Sequence, residues 1–376
     1  MIDILKKLQM RFLQWILPKK KNRVYYISFK GKSYSDNPRA VSEKVYQLYG
    51  DKLEYIWAID DKTDISSLPN YIRIIKANSF KSIYYLSTSK IWVSNFCFPS
   101  WTVKSKKQYY IQTWHGDIAI KKILLDNKKR DYFFESHNID LLLAGSEFGK
   151  KIMASAFGYS GQMLTVGSPR NDIFFGNTNK ETIVRIRQLY GISASTKILL
   201  YAPTFRKKYK TTQQHIGLDL EKVRETLEEV TKEKWVVLLR SHEENSNLGF
   251  DTNNPSFLNV TKYPEMNELL LITDILISDY SSCVADFALT GKLAILYQSD
   301  LSDYTSADRN IYSEFFDSPF YKFTEPKSLY DFLKVVTGED AQKNCQDILK
   351  YYGSLESGHS SEEVAKFIKK AVDGNN

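Results

Sequence analysis

The constraint that narrows the fold most is a rhythm. Short runs of β-branched and aromatic residues recur, each closed by a polar cluster and followed by a segment fit for a helix. The first run spans 23–29, and others follow at 53–59, 72–75, 91–94, 109–113, 140–144 and 163–166. Between them, 38–49, 79–89 and 146–157 read as helices, the first opened by Pro38 and the last capped by Ser146. Strands that alternate with helices imply a parallel sheet in a layered α/β domain. The rhythm breaks at the loop-like Gly176-Asn177-Thr178-Asn179 and a polar helix over 180–190. It restarts with strands at 197–201, 235–239, 257–260, 274–278 and 293–297, and helices at 218–231 and 265–271. The remainder reads as mostly helical. A chain of 376 residues fits two domains. The expected division is therefore 1–22, 23–176 and 177–376, with two α/β domains facing a cleft.

Composition bounds the partners. The formal net charge of +8 favours anionic ones, such as phosphorylated substrates and acidic lipids. Nucleic acid is not expected, because no dense Lys/Arg helix or RNA-binding signature is present. Cys97, Cys283 and Cys345 lie far apart, without the spacing of a zinc site or a disulfide framework. A reducing cytoplasm is the simple reading.

No stretch reaches the roughly 20 apolar residues of a spanning helix. Residues 1–22 are unusual nonetheless. Ile2, Ile4, Leu5, Leu8, Phe12, Leu13, Trp15, Ile16 and Leu17 are interrupted at near-helical spacing by Lys6, Lys7 and Arg11, and Lys19-Lys20-Lys21 follows. A secretory signal would instead place its charges first and its apolar core next. The pattern predicts a helix lying in a membrane interface, with Phe12 and Trp15 inward and lysines toward acidic head groups. The competing reading is a core helix of the first domain.

Polar clusters sit at the strand ends, where ligands bind in open α/β sheets. Gln112-Thr113-Trp114-His115-Gly116-Asp117 follows the strand at 109–113, with Lys121 and Lys122 behind it. A glycine there allows a sharp turn and close approach of a ligand. His115 either points into a cleft or satisfies a turn. Arg240 and His242 follow another buried strand. The arginine offers a planar fork for phosphate, and the histidine can donate, accept or carry charge near neutral pH. The competing reading pairs Arg240 with an acidic neighbour such as Glu243 or Glu244, and its position at a strand end favours the phosphate. Asp279-Tyr280-Ser281-Ser282 opens a helix whose N–H groups and hydroxyls suit phosphate oxygens, although a serine there is commonly a plain cap. Thr204 and Arg206 offer the same chemistry. Arg170 either reaches the cleft or pins a hinge. Walker, dinucleotide-binding, zinc-protease and serine-hydrolase motifs are absent.

Set in order, these pieces resemble the CDP-glycerol glycerophosphotransferase family of teichoic acid and related polymer biosynthesis. The matching pieces are Trp114-His115-Gly116 with Lys121, Gly167-Ser168-Pro169-Arg170-Asn171-Asp172, Tyr201-Ala202-Pro203-Thr204-Phe205-Arg206, Arg240-Ser241-His242, and Ser278-Asp279-Tyr280-Ser281-Ser282 with Asp286-Phe287. Ser35-Asp36-Asn37-Pro38 and Arg309-Asn310-Ile311-Tyr312 also match. The resemblance runs from about Arg23 to the end of the chain. It implies a GT-B-like pair of Rossmann-like domains, an acceptor domain over 23–176 and a CDP-polyol-binding domain over 177–376, with peripheral attachment to the cytoplasmic face of the membrane. It further implies transfer of a polyol phosphate, glycerol phosphate first and ribitol phosphate as the alternative, to a hydroxyl of a lipid-linked glycan or polymer, with release of CMP. A UDP-sugar enzyme of the same layout is the other alternative. His115 is the implied base and His242 steadies charge on the pyrophosphate. Trp114, Gly116, Lys121, Arg170, Thr204, Arg206, Arg240, Asp279, Ser281, Ser282 and Arg309 are the implied substrate contacts. No cofactor is required, Mg²⁺ entering, if at all, with the diphosphate. Two departures stand out. Asp117-Ile118-Ala119-Ile120 occupies the place where the family often reads Thr-Pro-Leu, and Glu243 stands in place of a proline.

Overall fold

The computed structural model describes every residue except 1, 62, 66–67, 128–135, 177–178, 205–216, 242–253, 303, 305–309 and 375–376. The chain forms two compact units. The first comprises 1–117, 123–175 and 354–376, and the second comprises 118–122 and 176–353.

The first unit opens with helix α1 (Ile2–Ile16), strand β1 (Lys20–Ile27), α2 (Asp36–Tyr49), β2 (Glu54–Ile59), β3 (Ile72–Lys76) and α3 (Phe80–Thr88). It continues with β4 (Ser89–Ser94), β5 (Tyr109–Gln112), β6 (Leu141–Ala144), α4 (Glu147–Phe157) and β7 (Met163–Thr165). The seven strands form one sheet in the order β3-β2-β1-β4-β5-β6-β7, and every pairing is parallel. The central strands are buried along most of their length, as expected of a parallel sheet covered on both faces. Their alternation divides the core. Val24 and Tyr26 point to the side of Val41 and Val45 of α2. The Tyr25 hydroxyl meets Ser82 of α3 at 2.8 Å on the other side. Ser146 caps α4 by accepting from the Gly149 N–H, and Gly158 closes it in the left-handed region (φ 54°).

The amphipathic start is a helix, and it is seated on protein along one stripe. Met10 and Leu13 are buried where α1 packs against α3. The Gln14 amide donates to the Val103 carbonyl at 2.7 Å and to Gln108 Oε1 at 3.1 Å. Ile2, Ile4, Leu5, Leu8, Phe12, Trp15 and Ile16 remain exposed, Trp15 at 83%. The lysine run does not separate helix from strand, because Lys20 already pairs with Ser89.

The second unit holds α5 (Asn179–Leu189), β8 (Lys197–Ala202), α6 (Leu220–Thr231), β9 (Trp235–Leu239), β10 (Phe257–Asn259) and α7 (Met266–Ile272). Then come β11 (Ile275–Ser278), α8 (Cys283–Ala288), β12 (Leu293–Tyr297), β13 (Tyr321–Phe323), α9 (Pro326–Leu333) and α10 (Gly338–Tyr352). Its sheet runs β10-β9-β8-β11-β12-β13, again all parallel. Sequence reading missed β13, which is a three-residue, half-buried edge strand.

The two units differ from the expected division at two places. Ile118–Lys122 belongs to the second unit, where Lys121 bridges Ile311 in antiparallel fashion. The final helix α11 (Ser360–Asp373) belongs to the first, placing Val364, Ala365, Ile368 and Ala371 in the core that Val41 and Val45 also line. Asp172 fixes its start, accepting from the Ser360 and Ser361 N–H groups at 2.9 and 2.7 Å. A carboxylate at a helix N-terminus is favoured there by the helix dipole.

Candidate active site

In each sheet the strand order turns about one point, between β1 and β4 in the first and between β8 and β11 in the second. A doubly wound sheet opens a crevice at such a switch, beyond the carboxyl ends of the strands.

At the first switch lie the residues after β1, β4 and β5. His115 is half-buried among three rings. Phe96 stacks on it (5.5 Å between centroids, 6° between planes), Trp114 tilts against it at 4.2 Å, and Phe29 meets it edge-on at 5.4 Å. Its Nδ1 lies 2.6 Å from the backbone carbonyl of Asn95. A carbonyl only accepts, so Nδ1 carries the proton and Nε2 is left as the ring's basic nitrogen. The backbone is strained around it. Phe29 (φ 45°), Lys30 (φ 62°), Asp36 (φ 63°) and Trp114 (φ 50°) all lie in the left-handed region. For non-glycine residues such conformations persist only where the surroundings over-determine them, and they concentrate at functional sites. The sharp turn falls on Trp114 itself, which is buried with its ring edge-on to Phe157.

Arg170, expected among the substrate contacts, is paired within the protein. Its guanidinium is buried and donates from Nη1 to Asp36 Oδ2 at 2.6 Å, both side chains being under a tenth exposed. Asp117 is likewise committed within the protein. It accepts from the Gly145 N–H at 2.6 Å and from the Ser146 hydroxyl, at the N-terminus of α4. A Cβ at Gly149 would collide with the Asp117 carboxylate as it stands. Thr113, Trp114, Gly116, Asp117, Gly145 and Ser168 line a small pocket beside this loop. The departure from the family pattern at Asp117 thus holds the residues that lead into α4, including the Ser146 cap.

At the second switch, Thr204 and Asp279 bond one another. The Thr204 N–H donates to Asp279 Oδ1 at 2.9 Å and the Thr204 hydroxyl donates to Oδ2 at 3.1 Å. Asp279 is buried and also accepts from the Tyr280 N–H at 2.5 Å. These two residues, expected as substrate contacts, therefore join the ends of β8 and β11. Ser281 and Ser282 are half-buried beside them, and the Ser282 hydroxyl makes no capping bond to α8. Burial pushes the neighbouring Cys283 thiol up to about 11, so it stays neutral at physiological pH. Arg240 follows β9, half-buried, with its N–H donating to the Tyr201 carbonyl at 2.9 Å. Burial raises the Tyr190 phenol above its ordinary value, and the nearby charge of Arg240 pulls the other way. Lys121 lies in the second unit's antiparallel bridge. Arg206, His242 and Arg309 lie outside the described residues.

Sequence reasoning missed Phe29, Asn95 and Phe96, which cage His115. The available signal was position: Asn95 and Phe96 directly follow β4, which adjoins β5 in the sheet.

A family model described as CDP-Glycerol:Poly(glycerophosphate) glycerophosphotransferase matches residues 9–370. A teichoic acid poly(glycerol phosphate) polymerase of Bacillus spizizenii is 31% identical over 93% of this chain and 93% of its own length. A protein of the same name from Bacillus subtilis is 29% identical over 94% of this chain, which spans 50% of that relative. Among solved structures, the wall teichoic acid polymerase TagF superposes with a TM-score of 0.84 at 26% identity, covering 98% of this chain and 94% of that one. A variant of TagF has been solved after a soak with CDPG.

Proposed function

The chain belongs to the CDP-glycerol:poly(glycerophosphate) glycerophosphotransferase family, and from that premise we propose that it transfers glycerol phosphate from CDP-glycerol to an acceptor hydroxyl in teichoic acid synthesis, releasing CMP. The observation that carries the mechanism is the bond from His115 Nδ1 to the Asn95 carbonyl, which leaves Nε2 as the basic nitrogen. The acceptor hydroxyl gives its proton to Nε2 as its oxygen attacks the phosphorus bearing glycerol. The bond from that phosphorus to the bridging oxygen breaks, and CMP leaves with the electron pair. General base catalysis of this kind contributes about 10² to 10⁴ in rate.

The second unit holds the donor. Arg240 and the hydroxyls of Ser281 and Ser282 meet the diphosphate, and Arg206, His242 and Arg309 complete the set by their resemblance to the family's motifs. Preorganised arginines and N–H groups stabilise charge on a transferring phosphoryl group without a resident cofactor. Arg170, Thr204 and Asp279 hold the two loops in shape.

The acceptor is lipid-linked, and α1 brings the enzyme to it. Among the described residues no helix is long and apolar enough to cross a membrane. The seven exposed apolar side chains of α1, with Lys6, Lys7 and Arg11 among them, suit an acidic interface instead.

The test is CMP release from CDP-glycerol and CDP-ribitol in parallel, with a lipid-linked acceptor. CDP-glycerol is expected to be the better donor by at least about tenfold, a difference of roughly 1.4 kcal/mol. Release from CDP-ribitol alone would transfer the reading to ribitol phosphate. Release from neither would remove it.

A further inference from the structure

The geometry points to Asn37 and Asn95 as positioning residues for His115, with Asp36 and Arg170 as the buried ion pair that aligns them. This rests on His115 being the base. His115 is held in two ways, and both lead to one short stretch at the start of α2.

The ring is held by the Asn95 carbonyl. The Asn95 side chain is fully committed in turn: Nδ2 donates to Asp36 Oδ1 at 3.0 Å and to Ser28 Oγ at 3.2 Å, and Oδ1 accepts from the Phe29 N–H at 2.8 Å. The backbone entering His115 is held by Asn37. Its Nδ2 donates to the Trp114 carbonyl at 2.9 Å and to the Thr113 carbonyl at 3.3 Å, and its Oδ1 accepts from the Arg170 N–H at 3.0 Å. Asp36 joins the two arms, with one oxygen toward Asn95 and the Asn37 N–H and the other on Arg170.

Asn37 and Asn95 are each no more than 2% exposed, and Asp36 and Arg170 each under a tenth. A polar network whose bonds are made within the interior rigidifies what it touches. It holds two of the strained residues, Asp36 and Trp114, in their left-handed conformations. That strain sets the direction of the His115 ring, and the carbonyl of Asn95 sets which of its nitrogens bears the proton. A displacement of a catalytic group by about 1 Å can lower a rate about 10²-fold.

The experiment uses the full chain, CDP-glycerol and a lipid-linked acceptor, with Asn37→Ala, Asn95→Ala, His115→Ala and the two asparagine–histidine double variants. Each asparagine variant should lose about ten- to a hundredfold in kcat, with KM for CDP-glycerol unchanged and the acidic limb of the kcat/KM–pH profile displaced. Placed on His115→Ala, neither should lower the residual rate further, because residues that act through one group are non-additive. Two variants are used so that a folding failure in one leaves the other to decide. Wild-type kcat in a folded asparagine variant, or losses that repeat in full on His115→Ala, would overturn the positioning role while leaving the base in place. Wild-type turnover by His115→Ala would overturn the base and this inference together.

Discussion

His115 and Arg170 illustrate how side chains of similar apparent promise divide their labour. His115 presents a basic nitrogen because a carbonyl has claimed the other one. Arg170 carries a charge that the protein has neutralised internally. Removing one partner of a buried ion pair leaves the other uncompensated, at about 3–5 kcal/mol. Arg170→Met should therefore lower stability to chemical denaturation by about that amount while leaving the affinity for CDP-glycerol, read by calorimetry, unchanged. Lost affinity at full stability would return Arg170 to the substrate contacts. The place of His115 just beyond a strand was legible in the sequence, because a polar cluster ended the apolar run. The roles of Asn37, Asn95 and Asp117 were not, because their bonds join residues far apart in the chain. Asn37 meets Trp114 across 77 positions and Asp117 meets Gly145 across 28. No local pattern encodes such pairs.

At the scale of elements, legibility followed burial. The central strands read correctly because both faces are covered and the runs are continuously apolar. The edge strand β13 did not, being short and half-buried. Helix α1 shows both faces of the problem. Its apolar residues exceed what one protein contact covers, so the sequence supported a core reading and a membrane reading alike. Met10 and Leu13 take the protein, and Leu8, Phe12 and Trp15 remain outside. Phe12→Ser/Trp15→Ser should reduce flotation with phosphatidylglycerol vesicles by at least about tenfold, since each buried aromatic contributes about 1.5–3 kcal/mol. The melting temperature should not move, because neither side chain packs in the core. Unchanged flotation would leave α1 as a structural helix alone.

Across the whole molecule, the chain builds two doubly wound units and then comes back to the first. The return is carried by Glu356, whose carboxylate accepts from the Ser168 N–H and the Asn171 amide, and by Asp172 at the start of α11. A chain ended after Gly353 lacks Val364 and Ile368, which are fully buried against α2. It should lose the cooperative melting of the first unit in calorimetry while the second unit's transition persists. Two transitions unchanged from the full chain would show α11 to be dispensable. The proposed transfer turns on the proton at His115. CMP release by purified His115→Ala, with CDP-glycerol and a lipid-linked acceptor, tests it most directly. A fall of about 10² to 10⁴ in kcat at an unchanged melting temperature is the predicted result, and release at the wild-type rate would contradict it.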